Sequence, residues 1–142
     1  MQRLIVALLA FTVLAGHAQT PANREDAIRA FIKTFGDARN AHDGNSVAAL
    51  YTEDGEWIQN DELTRVRGRA NLAKLWNGIT GHVDRTINAI EFPGPDIATV
   101  RVSCQYHPDT GITGLHSEVF VLVNESVTKS PNWRIFVHQT LN

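Results

Sequence analysis

Three side chains in the C-terminal half of this chain have the types and spacing to move a proton together: His116, Glu118 and His138. In an extended strand, residues two apart share a face. His116, Glu118, Phe120 and Leu122 therefore form one row, and Leu115, Ser117, Val119 and Val121 the other. A final hairpin centred near Thr128 sets Glu118 directly across from His138. Cross-strand neighbours have Cβ atoms about 4.5–5.5 Å apart, within reach of a carboxylate–imidazole hydrogen bond. Such a pair suits general acid–base work, because imidazole titrates near neutral pH. Enclosure in an apolar cavity is expected to raise the Glu118 carboxyl pKa, since burial disfavours the charged form. The same trio has the composition of a two-histidine, one-carboxylate metal set. It is scattered over two strands without motif spacing, so no metal and no other cofactor is expected.

Whether this row faces inward depends on strand register. On the preceding strand, Ala98, Val100, Val102, Cys104 and Tyr106 form the core row, opposite Thr99, Arg101, Ser103, Gln105 and His107. A symmetric hairpin pairs Cys104 with His116 and Val102 with Glu118, which puts Glu118 inside. A four-residue Pro108-Asp109-Thr110-Gly111 loop pairs Arg101 with Glu118 instead and puts both outside. A one-residue slip flips the whole row. In the outward case, Glu118 is a partner for Arg101 or Arg134. Cys104 reads as a small buried hydrophobe in either case.

The elements that must position these residues follow from periodicity. Ile28, Phe31, Ile32 and Phe35 recur at helical spacing, giving an amphipathic helix over roughly 22–41. Asp43 and Gly44 break it, and Asn45–Tyr51 is a second, short helix. A strand runs from Glu56 to Asn60, then a polar connection from Asp61 to Arg65. Gly68 precedes a third helix, in which Leu72, Leu75, Trp76 and Ile79 form a stripe. Strands follow at Arg85–Phe92, Ile97–His107, Gly114–Asn124 and Asn132–Thr140. They are separated by the turn clusters Pro93-Gly94-Pro95-Asp96 and Pro108-Asp109-Thr110-Gly111, and by a polar loop. Helices first and hairpins after imply an α+β domain with helices on one face of a curved, mainly antiparallel sheet.

Residues 1–18 have the layout of a secretory leader: Arg3, an uncharged apolar run from Leu4 to Ala15, then Gly16-His17-Ala18 before a cut at Gln19. The run is too short for a stable span, which takes about 20 residues. One domain over 19–142 and export to a bacterial periplasm or medium are expected, with no membrane association after cleavage. Cys104 is the sole cysteine, so no intramolecular disulfide and no cysteine-pair zinc site can form. The formal charge of −2, with no basic block, gives nucleic-acid binding no electrostatic support.

The order of elements carries further marks. Ala41-His42-Asp43 ends the first helix, Ala49-Leu50-Tyr51 and Glu53-Asp54 follow, Gly68 with Leu72 opens the third helix, and Trp133-Arg134-Ile135 begins the closing strand before His138. In these features the chain resembles the nuclear-transport-factor-2-like superfamily, including its SnoaL-like and SgcJ/EcaC groups, over about residues 22–142. The resemblance implies a cone-shaped barrel of three N-terminal helices packed on the curved sheet. It implies a small-molecule ligand in the cone and a homodimer through the sheet. It also implies that His116, Glu118 and Phe120 face inward, with Gly55, Trp57 and Gln59 on the first strand. The implied pocket is Phe35, Trp57, Gln59, Val102, His116 and Phe120, with Glu118 and His138 as the acid–base pair. In the isomerase branch, the position of Glu118 holds a neutral acid that donates to a developing oxyanion, as in a worked case of pKa tuning. The branch's basic Asp and oxyanion Tyr correspond here to Gln59 and Phe35, so steroid-isomerase chemistry is not expected. What remains is a proton-transfer enzyme of isomerase, cyclase or dehydratase type, or a non-catalytic binding or dimerising module. The oxidoreductase role attached to the SgcJ/EcaC label has no Gly-x-Gly-x-x-Gly loop behind it.

Overall fold

The computed structural model describes residues 21–59, 64–126 and 130–141. The leader read at 1–18 and Thr128 lie outside these residues. The elements run α1 (Pro21–Asn40), α2 (Gly44–Ala49), β1 (Tyr51–Gln59), β2 (Thr64–Arg67), α3 (Arg69–Gly78), β3 (His82–Gly94), β4 (Ile97–His107), β5 (Gly114–Asn124) and β6 (Trp133–Leu141). The third helix follows the β1–β2 hairpin, so the three helices do not all precede the sheet.

One buried stripe holds α1 to the sheet: Ile28, Ile32, Phe35 and, on the next turn, Arg39. Its outer face carries the i,i+4 pairs Arg29–Glu25 and Lys33–Asp37. At the helix end, Asn40 acts as a short strand neighbour. Its Nδ2 donates to the Val83 carbonyl at 3.0 Å, and its Oδ1 accepts from the Val83 amide at 2.9 Å. Asp43 caps α2 by accepting from the Ser46 amide at 3.0 Å. Gly44, expected only to break the first helix, also lets α2 and α3 touch. A Cβ there would lie 2.5 Å from the Ala73 carbonyl oxygen and 2.5 Å from the Asn77 amide nitrogen. Gly44→Ala is expected to cost about 1–3 kcal/mol through overpacking against backbone. Thermal melts of the two proteins check this, and an unchanged melting temperature would refute it.

The sheet order is β2-β1-β6-β5-β4-β3, antiparallel except where β1 pairs with β6 in parallel. Register shifts in β3, and between Val121 and Leu122 in β5, curl the sheet. The first strand starts at Tyr51 rather than Glu56, because Tyr51 already pairs with Ile135 and the Thr52–Gly55 segment is an irregularity inside the strand. The polar connection holds the short strand β2. Its Thr-Arg-Val-Arg sequence shows no apolar alternation, which suits an exposed edge. The core between helices and sheet contains Phe35, Tyr51, Leu72, Trp76, Val100, Val102, Phe120, Leu122 and Ile135.

Candidate functional site

The β4–β5 register is Val102 opposite Glu118 and Cys104 opposite His116, the first of the two alternatives. Glu118 is therefore inside, 3 % exposed. Arg101 lies outside and bonds Glu91. The partner of Glu118 is Arg85 on β3, a residue the sequence reading did not single out. Arg85 Nε donates to Glu118 Oε2 at 2.8 Å and Nη2 to Oε1 at 3.1 Å, a two-pronged buried ion pair. Arg85 reaches Glu118 across β4: it pairs with Cys104, which pairs with His116.

The last hairpin differs from expectation by two residues. Glu118 lies opposite Thr140, and Phe120 lies opposite His138. A two-residue shift changes neighbours but keeps faces, so His138 still points inward as a diagonal neighbour. Its Nε2 is 3.6 Å from Glu118 Oε1, and His116 Nε2 is 3.5 Å from the same oxygen. His138 is fully buried. Its ring stacks on Phe120 (centroids 4.2 Å apart) and on Trp76 (5.7 Å), with Phe35 edge-on at 5.3 Å. Its Nδ1 shares a 2.9 Å hydrogen bond with the Tyr51 hydroxyl. The chain Tyr51–His138–Glu118–Arg85 thus runs through the middle of the core.

Electrostatics reverse one expectation. Burial pushes the Glu118 carboxyl up, but the close contacts with the His116 and His138 rings, the positive charge His138 takes when protonated and the charge of Arg85 together outweigh it. The carboxyl is held well below the ordinary range. Glu118 is a buried carboxylate, not the neutral acid expected of an apolar cavity. Burial lowers the pKa of His138, against an opposing pull from Glu118. Burial, reinforced by the negative charge of Glu118, raises that of Tyr51. At neutral pH, His138 and Tyr51 are therefore uncharged.

The cavity itself, about 170 Å³, is lined by Arg39, Trp57, Trp76, Tyr106, Arg85 and His116, with Glu118 and Thr140 among its other polar groups. Trp57 Nε1 donates to Thr140 Oγ1 at 3.1 Å, which fixes that wall. Arg39 reaches in from α1, and its guanidinium donates to the carbonyls of Gly81 and Thr80. Of the residues read as pocket lining, Trp57 and His116 line this cavity. Phe35, Phe120 and Val102 are fully or almost fully buried in the core around Glu118 and His138. Gln59 does not line it. Alternation puts it on the side of Trp57, but it is the last residue of β1 and is exposed. The signal for the missed arginines lay in the pattern: Arg85 sits between Val83 and Ile87 on the inward row of β3, and Arg39 continues the apolar stripe of α1.

Cys104, His116 and Glu118 place their ligand atoms within 4.8 Å of one another, the spacing of a cation site. Both Glu118 oxygens are already engaged by Arg85, and burial raises the Cys104 thiol pKa. A cation there would sit beside a guanidinium and face a protonated thiol, so the set does not fit a metal.

No protein-family model and no curated protein matches the chain. Solved structures do. A domain of unknown function with a cystatin-like fold from Nostoc punctiforme superposes with a TM-score of 0.71 at 22% identity, over 87% of this chain and 78% of that one. A nuclear-transport-factor-2-like protein of unknown function from Shewanella oneidensis gives 0.70 at 16% identity, over 84% and 99%. The chain has the nuclear-transport-factor-2-like fold. A ketosteroid isomerase-like protein from Erwinia carotovora shares it, with a TM-score of 0.67 at 22% identity over 82% of this chain and 93% of that one. Within this fold, the cavity described above lies between the helices and the inner face of the sheet.

Proposed function

We propose that this protein binds a small organic molecule in the cavity and that His116 is the group placed to exchange a proton with it. The observation that carries the reading is the cavity wall, where two tryptophans and a tyrosine stand with His116, Glu118 and two arginines around one small space. The His116 side chain is 16% exposed, and Glu118 stands behind its Nε2. A carboxylate behind an imidazole orients it and supports the charge that proton uptake creates. Glu118 is thus the orienting member of the expected acid–base set, and His138 holds Glu118 from the core side. Taking up and returning one proton needs no co-reactant, which suits an isomerase-, cyclase- or dehydratase-type step. The ketosteroid isomerase-like neighbour is in keeping with that class. The proposal includes pairing of two copies through the outer sheet face, where Arg101, Ser103 and Gln105 are exposed, and export by the leader at 1–18.

A panel of small organic molecules screened by thermal shift tests the binding half. With a molecule that stabilises the protein, His116→Gln is expected to keep binding and lose turnover by about 10²–10⁴-fold. Turnover unchanged in that variant would exclude His116 as the proton carrier. Binding without turnover in the unmodified protein would leave a pure binding module. That second reading is favoured by the depressed Glu118 pKa, which makes the carboxylate itself a weak base.

A further inference from the structure

We infer that the ligand of this cavity is a small monocarboxylate whose carboxylate sits between Arg39 and Arg85. The inference rests on the cavity reading above and adds the charge of the ligand. Two guanidiniums and one carboxylate, Glu118, line the wall. Among the arginines and Glu118, two positive charges less one negative leave one positive charge in excess. Arg85 is neutralised by Glu118, yet its buried Nη1 has no hydrogen-bond partner among the described residues. Arg39 is 5% exposed, and the hydrogen bonds its guanidinium makes among the described residues go to main-chain carbonyls, with no carboxylate.

Burying a charge costs several kcal/mol unless an opposite charge accompanies it, and an orphaned donor adds to that cost. The burden on Arg39 is visible: burial first, and the like charge of Arg85 second, lower its pKa. An incoming carboxylate supplies the missing anion for Arg39 and adds a negative charge beside the Arg85 guanidinium, which lines the same cavity. A monoanion matches the single excess charge, whereas a phosphate dianion would oversupply it beside the Glu118 carboxylate. Size limits the rest of the ligand. The cavity, about 170 Å³, is smaller than the roughly 300–1,000 Å³ of pockets for drug-sized molecules. Trp57, Trp76 and Tyr106 form its apolar wall. One ring or a short chain fills the space left beside the carboxylate.

Tryptophan fluorescence of the full chain reports binding, since Trp57 and Trp76 line the cavity. Benzoate, phenylacetate and hexanoate are titrated at constant ionic strength against their neutral amides: benzamide, phenylacetamide and hexanamide. At least one acid is expected to bind at least about tenfold more tightly than its amide. Arg39→Gln is expected to erase that preference, and Arg39→Lys to keep part of it. The acid–amide comparison on the unmodified chain needs no variant, so it stands even if Arg39→Gln does not fold. Amides binding as tightly as acids would overturn the anion inference and leave the cavity reading intact. No saturable response to either series up to about 10 mM, the weak end of specific binding, would overturn both.

Discussion

Arg85→Met will lower the unfolding free energy by about 3–5 kcal/mol, and the double variant Arg85→Met, Glu118→Leu will recover most of the loss. Breaking a buried ion pair strands one charge in the core. Here it would strand the Glu118 carboxylate, whose side chain is 3% exposed, with the His116 and His138 imidazoles and the Cys104 thiol beside it. Glu118→Leu alone should cost a similar amount, because it leaves the Arg85 guanidinium buried without an anion. Replacing both partners with apolar groups removes both desolvation costs, so the cycle should be strongly non-additive. Urea unfolding of the four proteins measures this directly. Single variants within about 0.5 kcal/mol of the parent, adding linearly, would mean the pair contributes nothing. The cycle also governs how activity data are read. A loss of function in Glu118→Gln says little about catalysis until the folded fraction of that variant is known.

The second large effect is on pH. Stability should be level between about pH 6.5 and 9 and fall on both sides of that window. The folded pKa of His138 lies below its ordinary 6.5. Between the two values the unfolded chain binds a proton that the folded chain refuses, so stability drops as pH falls below about 6.5. Glu118 has a folded pKa well below its ordinary 4.5. Its contribution is complete above about pH 4.5 and is lost as pH falls from there toward the folded value. On the alkaline side, burial holds the folded Cys104 thiol above its ordinary 9.0 and Tyr51 well above its ordinary 10.0. The unfolded chain gives up these protons first, so stability falls above about pH 9 and more steeply above about pH 10. Each group contributes a slope of at most about 1.4 kcal/mol per pH unit. Urea midpoints taken at half-unit steps trace the profile. His138→Phe should remove the break near pH 6.5 and leave the one near 4.5. A break near 6.5 that survives the substitution would assign it to another histidine.

The parts of this molecule legible in the sequence are those set by local pattern. The bounds of β4 and β5, Ile97–His107 and Gly114–Asn124, coincide with the expected strands, because turn clusters bracket β4 and its alternation is clean. The stripe of α1 was readable for the same reason, including Ile28, Ile32 and Phe35. What pattern could not supply was pairing across strands. The partner of Glu118 depends on two registers at once, β3 on β4 and β4 on β5, so Arg85 stayed hidden while Arg101 and Arg134 looked equally eligible. The His138 neighbour moved by two residues: one is already present in the turn-side pairs Val123–Arg134 and Asn124–Trp133, and the other comes from the register shift between Val121 and Leu122, neither of which composition announces. Gln59 shows a different limit. Alternation reports which side of a strand a residue faces but not whether anything covers it there, and at the end of β1 it is exposed. Tyr51, expected to close a helix, instead opens a strand and tethers His138. Its role is written in residues more than eighty positions away.

That last point bears on the order of assembly. The strand beginning at Tyr51 finds its parallel neighbour only at Ile135–Thr140, so the sheet cannot close until nearly the whole chain has been made. Contacts so distant in sequence slow folding, since loop closure must precede any gain from pairing. A growing chain can form the hairpins of β3, β4 and β5 early, but Tyr51 and Trp57 must wait for the final strand before they are covered. During synthesis Tyr51 and Trp57 are therefore sheltered late, and a truncation that removes only β6 would leave them permanently exposed to other hydrophobic surfaces.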